Sequence, residues 1–307
     1  MPRILFVKTS SLGDVVHNCP AVSDAVRDSP GAQIDWVVEE SFAAVARMHR
    51  AVRRVIPVAV RRWRSALWSA AVWREIAAFR RSIAAERYEA VIDTQGLLKS
   101  ALVSRLAAGR KHGMDRASAR EPIAARFYDV AHAVPRALHA VERNRRLTAA
   151  ALGYAVDGGC DYGLRARAAG SAGAYAVLLT MTSRADKLWP ESHWIELGRA
   201  LALPIVLPWG SEAERSRAER IGQRIGQAVV PSRKPIDELA EVLANAKGVF
   251  GLDSGLTHLA AALGAPTVGI YCASDPALTG LYGAAHATNV GAPGRPPQVF
   301  EVLKSFA

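Results

Sequence analysis

The sequence predicts an α/β fold made of two doubly wound parallel sheets that follow one another along the chain. Short apolar runs of strand length alternate with stretches whose apolar residues recur every three or four positions, a pattern typical of strands alternating with amphipathic helices. The alternation restarts near residue 175, after a stretch rich in Gly and Ala. With 307 residues, half of them apolar, the chain is long enough to bury two cores.

Two domains are therefore expected, over residues 1–155 and 174–307, with a linker over 156–173. Each half contains a strand that runs into a loop of small residues and then into a helix. Such loops bind ligands at the carboxyl ends of strands, so the two domains are expected to face each other across a cleft. The C-terminal helix is a candidate for packing back on the first domain.

The chain opens with the first of these strand–loop–helix stretches. Residues 4–7 have the composition of a buried strand, and Val15, Cys19 and Val22 lie on one face of the helix that follows the loop. Asp14 stands at the start of this helix, where a ligand of an open α/β sheet would bind. It is a candidate functional carboxylate, and the alternative is that it caps the helix N-terminus.

The remaining periodicities complete the alternation. In the first half they predict strands at 33–38 and 90–92, helices at 72–83, 97–107 and 139–152, and a loop with a helix start at 111–126, while residues 52–60 hold two short apolar pieces around Pro57. In the second half they predict strands at 175–179, 204–207 and 267–271, a polar loop at 180–187, and helices that start near 191, 211 and 236.

A second informative stretch begins with a short strand at residue 249 and runs through Asp253, Ser254 and Gly255 into a helix. The first amides of a helix have no intrahelical partner, so Ser254 and Gly255 open a potential anion site. His258 lies one turn further, and Lys187 follows the first strand of this half, so both are candidates to meet the same anion. The alternatives are a buried or solvated histidine and a solvated lysine.

The net charge of +11 belongs wholly to one half of the chain. Residues 1–150 hold 25 Lys and Arg against 14 Asp and Glu, whereas residues 151–307 hold 14 of each. A basic first half indicates an anionic partner, which at this point is nucleic acid, an anionic membrane surface or a small acidic substrate. The alternative is a solubilising arginine surface. No helix-turn-helix, zinc-finger or RNA-sheet signature is present, so a nucleic-acid partner is not expected.

Several other protein classes are excluded or disfavoured by the residues. The three cysteines are scattered and the N-terminal apolar run is short and interrupted by Lys8, which favours a reduced, cytosolic compartment. The uncharged run 254–274 is interrupted around Pro266 and is not a membrane span. The sequence has no Walker phosphate loop, dinucleotide fingerprint, nucleophile elbow, Asp-x-Asp pair or zinc-like His/Cys spacing, so neither a metal nor a cofactor is expected.

Seven segments, in order, carry a more specific signal, and they are Val7-Lys-Thr-Ser-Ser-Leu-Gly-Asp14, Asp35-Trp-Val-Val-Glu-Glu40, Arg61-Arg-Trp-Arg64, Ile92-Asp-Thr-Gln-Gly96, Lys111-His-Gly-Met-Asp115, Lys187-Leu-Trp-Pro190 and Asp253-Ser-Gly-Leu-Thr-His258. Together they resemble the lipopolysaccharide heptosyltransferase I family, within glycosyltransferase family nine, over essentially the whole chain. The resemblance implies the GT-B architecture and an inverting transfer of L-glycero-D-manno-heptose from ADP-heptose to the inner Kdo of Kdo-lipid A.

The resemblance also implies roles for particular residues. Asp14 would be the general base that takes the proton of the acceptor hydroxyl. The donor ADP-heptose would be bound in the second domain, with Glu212 at the ribose and His258 beside the phosphates. The full set of expected donor-binding residues is Thr182, Ser183, Lys187, Glu212, Asp253, Ser254, Gly255 and His258.

The basic first half would bind the acceptor, because Kdo carries carboxylates, lipid A carries phosphates, and guanidinium groups pair with both. The expected acceptor-binding residues are Arg61, Arg62, Arg64, Arg120, His139 and Arg143, although any single one is nearly as well explained as a plain surface residue. The protein would then lie at the inner face of the cytoplasmic membrane as a peripheral enzyme. Trp63 and Trp68 are candidates for contact with the membrane interface or for a core or lid role.

Two departures from the family and two rival functions remain. Met181 stands in the phosphate loop where a smaller residue is usual, and the segment 201–204 is short, which puts donor affinity in doubt.

One rival is a later heptosyltransferase of the same fold, which the Arg61 to Arg64 segment argues against. The other is a basic module that binds nucleic acid or an anionic membrane, which leaves the neutral second half unexplained.

Overall fold

The computed structural model describes residues 1–166 and 173–306 and divides the chain into two compact units, of which the first is Met1–Leu164 and the second begins at Arg165. The first nine residues of the expected linker, 156–164, belong to the first unit, where the Arg50 amide donates to the carbonyl of Gly163 at 2.9 Å and Arg27 pairs with Asp157 at 3.1 Å. Residues 167–172 of that linker lie outside the described residues.

The first unit is a six-stranded, wholly parallel sheet in the order β3-β2-β1-β4-β5-β6. Its strands are β1 (Arg3–Val7), β2 (Gln33–Glu39), β3 (Val52–Val58), β4 (Arg87–Asp93), β5 (Ala108–Met114) and β6 (Val130–His132). Its helices are α1 (Leu12–Asp28), α2 (Ala43–Met48), α3 (Val60–Arg64), α4 (Ala70–Ala84), α5 (Leu98–Arg105) and α6 (Ala140–Leu152), with short 3-10 turns at Glu40–Phe42 and Pro122–Phe127. The loop expected from residue 111 was wrong, since residues 111–114 belong to β5.

The second unit repeats this arrangement with a parallel sheet in the order β9-β8-β7-β10-β11-β12. Its strands are β7 (Gly173–Leu179), β8 (Ile205–Val206), β9 (Ala228–Val229), β10 (Ala246–Leu252), β11 (Thr267–Tyr271) and β12 (Ala287–Gly291). Its helices are α7 (Glu191–Ala200), α8 (Glu212–Ile225), α9 (Ile236–Ala244), α10 (Gly255–Ala262), α11 (Pro276–Thr279) and α12 (Val299–Lys304), with a 3-10 turn at Ala185–Lys187.

The predicted fold class of two doubly wound parallel sheets is confirmed, because both sheets have the Rossmann strand order. The central strands are buried on both faces, and Leu5, Phe6, Val249 and Phe250 are fully inaccessible to solvent. In each sheet the first and fourth strands are neighbours at the point where the winding direction reverses. Ligands bind outside the carboxyl ends of the strands at this point. Ligand-binding residues are therefore expected in the loops after β1, β4, β7 and β10. The cleft expected between the domains stays a prediction.

The C-terminal helix α12 packs in the second unit. Its buried residues Val299 and Val302 belong to the same core cluster as Trp189 and Trp194, and the Trp189 indole donates to the carbonyl of Pro297 at 2.9 Å. The further expectation that this helix packs back on the first domain stays a prediction. Among the described residues, no helix combines the length and the apolar character needed to cross a membrane.

Candidate active site

Asp14 lies in the first turn of α1, directly beyond the carboxyl end of β1. Ser11 is the N-cap residue, and its amide and hydroxyl donate to Oδ2 of Asp14 at 2.8 and 3.2 Å. The alternative role of Asp14 as the N-cap itself is therefore wrong, although the carboxylate does stabilise the helix start as the third residue of a capping box. Asp14 remains partly exposed, and both of these hydrogen bonds are accepted by the same oxygen, Oδ2.

The loop that carries Asp14 is fixed by a glutamine from the neighbouring loop after β4. Oε1 of Gln95 accepts hydrogen bonds from the amides of Thr9 and Ser10 at 3.0 and 3.1 Å, and only 6% of Gln95 is exposed. Lys99, at the start of α5, donates to the Ser10 hydroxyl at 3.2 Å. Gln95 lies in one of the seven segments that resemble the family, but the sequence alone gave this residue no function.

Gln95 is itself held by the buried carboxylate of Asp93, the last residue of β4. The backbone amide of Gln95 donates to Oδ1 of Asp93 at 2.8 Å, and the Tyr128 hydroxyl donates to Oδ2 at 2.8 Å. Burial raises the pKa of Asp93, and the hydrogen bonds from Tyr128 and the loop amides oppose this rise. The loop that supports the Asp14 segment is thus anchored deep in the sheet rather than at the surface.

Lys8 is a buried cation at the same edge of the sheet, and sequence reasoning missed it. Its ammonium donates to the carbonyl of Thr94 at 2.8 Å. Burial lowers the pKa of Lys8, the charge of Asp14 raises it, and the charges of Arg143 and Arg120 lower it further. The structure therefore brings Asp14, Arg120 and Arg143 into electrostatic range of a single buried ammonium. No sequence signal distinguishes Lys8 from an ordinary lysine at a strand end.

The three arginines expected on the acceptor side at α3 differ in their surroundings. Arg61 and Arg64 are exposed. Arg62 forms a two-pronged pair with Glu40, with both N–O distances at 3.0 Å, and also lies 2.9 Å from Glu75. These hydrogen bonds raise the pKa of Arg62. Its guanidinium already has carboxylate partners within the protein, which weakens the expectation that Arg62 binds the acceptor.

The other three acceptor candidates flank the start of α6 and the loop after β5. Arg120 is exposed, whereas Arg143 is half-buried and donates to the carbonyl of Ser118 at 2.6 Å. Burial lowers the pKa of Arg143. His139 is buried as the N-cap residue of α6, where its Nδ1 accepts from the amide of Val141 at 3.2 Å. The structure therefore gives His139 a local role in starting the helix.

In the second unit, the carboxylate of Asp253 gathers three donors at the end of β10. Lys187 donates to Oδ2 at 2.5 Å, Ser274 donates to Oδ2 at 2.6 Å, and Nε2 of His258 lies 3.3 Å from Oδ1. Burial alone would raise the pKa of Asp253, but the hydrogen bonds from His258, Lys187 and Ser274 hold it well below its usual range. The structure brings together Lys187, Asp253 and His258, which the sequence singled out separately, and adds Ser274.

The start of α10 lies beside this cluster. Ser254 is its N-cap residue, and Gly255 is its first residue. Thr182, from the loop after β7, donates its hydroxyl to the carbonyl of Asp253 at 2.9 Å, so the two loops at the reversal point are joined. Gly251 lets the helix approach the strand, because a Cβ there would lie 2.2 Å from Oγ1 of Thr257. The first amides of α10 and the Lys187 ammonium, both beside Asp253, are therefore the candidate anion site.

The remaining donor candidates lie further from the described contacts of this cluster. Ser183 is exposed, and Met181 is partly exposed in the same loop. Glu212 is the first residue of α8 and is exposed, with its carboxylate 3.6 Å from Arg215. It follows β8, the second strand of the sheet, which is where Rossmann folds place an acidic residue for the ribose. Among the described residues, no group of three His, Cys, Asp or Glu side chains could hold a metal ion.

The two Rossmann-order sheets, with an anion site at the reversal point of the second, define the class of GT-B glycosyltransferases. Residues 76–301 match the model of glycosyltransferase family 9 (heptosyltransferase). The chain belongs to this family.

Individual relatives agree with this assignment. The chain is 49% identical over 292 residues to lipopolysaccharide heptosyltransferase 1 of Escherichia coli (strain K12), which is 92% of this chain and 91% of that protein. It is 47% identical over 289 residues to the protein of the same name from Pseudomonas aeruginosa, covering 92% of this chain and 81% of that protein. The solved structure of E. coli heptosyltransferase WaaC with ADP has 45% identity and a TM-score of 0.91, covering 98% of each chain.

Proposed function

We propose that the protein transfers L-glycero-D-manno-heptose from ADP-heptose to the inner Kdo of Kdo-lipid A, with inversion at the anomeric carbon. The observation that carries the proposal is the pair of sites at the two reversal points. A partly exposed aspartate in the first turn of α1 follows β1, and a lysine and a helix N-terminus lie beside Asp253 after β10. Relatives named lipopolysaccharide heptosyltransferase 1, at 47 to 49% identity, support this assignment.

Asp14 is proposed as the general base. As the acceptor hydroxyl oxygen forms its bond to the anomeric carbon, its proton passes to the Asp14 carboxylate, which is partly exposed at the carboxyl edge of the sheet. Ser11 holds Oδ2, so the carboxylate keeps one orientation on the first turn of α1. Gln95 fixes the preceding loop residues and so determines where that turn begins.

The leaving group is ADP, which departs with the electron pair of the broken bond and leaves a growing negative charge on its diphosphate. The Lys187 ammonium, the first amides of α10 and the Thr182 hydroxyl are the donors proposed to stabilise this charge. Asp253 does not contact the phosphates in this proposal. It orients Lys187 and His258 through its two oxygens. Glu212 is proposed to hold the ribose.

The transfer is proposed to need no metal, because cationic and amide donors stand where a metal would otherwise neutralise the diphosphate. Arg61, Arg64, Arg120 and Arg143 are proposed to bind the carboxylates and phosphates of the acceptor, with His139 nearby. Because that acceptor is anchored in a bilayer, the protein is proposed to lie peripherally at the inner face of the cytoplasmic membrane. Nucleic acid is not proposed as a partner.

The experiment that tests the proposal is a mass-spectrometric transfer assay with ADP-heptose and two acceptors. One acceptor is Kdo-lipid A, and the other already carries one heptose. Addition of a single heptose mass to the first acceptor only is the expected result. Addition to the second only would make the protein a later heptosyltransferase, and addition to neither would refute the proposed activity. Added EDTA is expected to leave the rate unchanged.

A further inference from the structure

The corner between α3 and α4 exposes large apolar side chains in an unusual concentration. Leu67, Trp68 and Trp73 are 49, 85 and 57% exposed, and we call these three residues the tryptophan patch. Single apolar residues on a surface are ordinary, but three within seven positions are not. An exposed indole presents a large apolar area to water, so such a cluster marks an interaction surface.

The tryptophan patch is an ordered surface rather than a loose loop. The Trp73 indole donates to the carbonyl of Leu67 at 2.8 Å, and the Ser69 amide donates to the carbonyl of Ala66 at 3.0 Å, which closes the turn between the two helices. Below it, Trp63 packs against Phe79 with ring centroids 5.7 Å apart. Trp63 thus has the core role that the sequence left open, whereas Trp68 has no such burial.

The charge around the tryptophan patch indicates what it contacts. Residues 61–81 contain six arginines and one glutamate. Arg61 and Arg64 are assigned to the acceptor, and Arg62 pairs with Glu75. The arginines left for a membrane contact are Arg74, Arg80 and Arg81, which are all exposed. Arg80 lies seven residues after Trp73 on α4, on nearly the same face of the helix, and both are exposed. Indole rings prefer the boundary between water and hydrocarbon, and arginines beside them are attracted to anionic headgroups.

We propose that the tryptophan patch inserts into the headgroup region of an anionic lipid bilayer and holds this face of the first unit against the membrane. The proposal rests on the proposed function, since a lipid-anchored acceptor requires the enzyme to reach a bilayer. It differs from that function in assigning the contact to particular side chains outside the transfer chemistry. Tryptophan insertion supplies the apolar part of the affinity, and the arginines supply a part that weakens with salt.

The test compares the full-length protein with the double variant Trp68→Ser/Trp73→Ser. Co-sedimentation is measured with vesicles of phosphatidylcholine alone and with vesicles that also contain phosphatidylglycerol, at low and high salt. Phe300→Ser is the matched control, because Phe300 is a 68% exposed aromatic residue on α12 of the second unit. A second readout is quenching of tryptophan fluorescence by brominated lipids, with Trp68→Ser alone as a milder variant.

The protein is expected to bind the anionic vesicles in a salt-sensitive way, with brominated lipids quenching part of its fluorescence. The double variant is expected to bind about tenfold more weakly or worse and to lose that quenching, whereas Phe300→Ser behaves as the parent. Transfer to a water-soluble Kdo acceptor is expected to be unchanged. The two proposals can fail independently. If the protein transfers heptose to no acceptor, the proposed function is refuted, and vesicle binding by the parent and the double variant still tests the membrane contact of the tryptophan patch.

Three outcomes would overturn the docking surface. The first is equal vesicle binding by the parent and the double variant, including no binding by either. The second is loss of transfer to the soluble acceptor in the double variant, which would make the tryptophan patch part of the acceptor site or a lid over it. The third is a parent dimer that the double variant dissociates in sedimentation velocity, which would make the tryptophan patch a contact between protein copies.

Discussion

Asp14 and Asp253 both follow a buried strand at the carboxyl edge of a parallel sheet, but their carboxylates have opposite surroundings. Asp14 is partly exposed, and the amide and hydroxyl of Ser11 donate to one of its two oxygens. Asp253 is mostly buried, and both of its oxygens are bound by side chains from three different parts of the second unit. We therefore propose proton transfer for the first carboxylate and the orientation of a cation for the second.

Both carboxylates lie at the edge of a Rossmann sheet where ligands bind, so this position alone does not distinguish them. Their different hydrogen-bond partners indicate different roles. Asp93 illustrates a third case, because it ends β4 in the place that corresponds to the end of β10. Its carboxylate binds loop amides and Tyr128, and burial raises its pKa, whereas the donors of Asp253 lower the pKa of that residue. One buried carboxylate therefore shapes a loop and the other holds an ion pair.

The largest effect is expected for Asp14→Asn. The amide cannot take the acceptor proton, so kcat should fall by about a thousandfold, within the usual range for loss of a general base. The Kd for ADP-heptose should stay within about twofold, because the donor is assigned to the other unit and general-base catalysis does not contribute to ground-state binding. Calorimetry with the donor and steady-state kinetics with Kdo-lipid A measure the two quantities. Near-normal turnover would show that another group is the base.

The next effect is expected for Lys187→Ala, which removes a charged donor from the diphosphate site. Affinity for ADP and for ADP-heptose should fall together by about 10- to 100-fold, because a hydrogen bond to a charged group contributes about 1.5–3 kcal/mol. Arg184→Ala is the matched control, since Arg184 is an exposed cation three residues earlier that pairs with Asp186. Equal losses in the two variants would indicate a general charge effect rather than a defined site.

A smaller effect is expected for Gln95→Leu. It leaves the amides of Thr9 and Ser10 without their acceptor, which loosens the loop that leads to Asp14. We expect kcat to fall by about tenfold, since an unsatisfied buried donor costs about 1–3 kcal/mol, with the donor Kd unchanged. Gln95→Glu keeps an acceptor oxygen at this position and should recover most of kcat, with the acid limb of the pH–rate profile moved upward by the added negative charge. If Gln95→Leu lowered the affinity for the donor instead of kcat, Gln95 would not act through the loop that leads to Asp14.

The last prediction concerns stability in acid rather than catalysis. Because the folded pKa of Asp253 lies below its usual value, its ion pairs stabilise the fold fully above about pH 4, and this contribution decreases progressively as the pH falls from there toward the folded pKa. Asp253→Asn should therefore be less stable than the parent at pH 7, by about 2 kcal/mol, and the difference should shrink toward pH 3. Urea unfolding at the two pH values measures this. A difference that does not depend on pH would mean that packing, rather than charge, is what the substitution removes.

The sequence predicted the elements whose signals are local. The strand–loop–helix stretches around Asp14 and Asp253 were recognisable because apolar periodicity and small loop residues occur within about twenty positions of each other. The helix at residues 139–152 was also found, although its first residue, His139, turned out to be the N-cap. The strand β5 was missed, since Arg110, Lys111 and His112 give it the composition of a loop.

Contacts between distant parts of the chain were beyond sequence reasoning. Gln95 lies about 85 positions from the amides it binds, and Ser274 lies 21 positions from Asp253. The pairing of Arg62 with Glu40 and Glu75 likewise depends on how α3 and α4 pack, so a motif of arginines could not reveal which of them is already paired. Composition and spacing identify residue types, and only the fold determines their partners.

The most direct test of the division between the two aspartates is single-turnover transfer by rapid quench, with Asp14→Asn and Asp253→Asn compared at limiting and saturating ADP-heptose. Asp253→Asn is predicted to transfer slowly at limiting donor and to recover much of the parent rate at saturation, because its defect lies in holding Lys187 and His258 for the donor. Asp14→Asn is predicted to stay slow at every donor concentration. Recovery of Asp14→Asn at saturating donor, or none by Asp253→Asn, would contradict the assignment of proton transfer to the first unit and donor binding to the second.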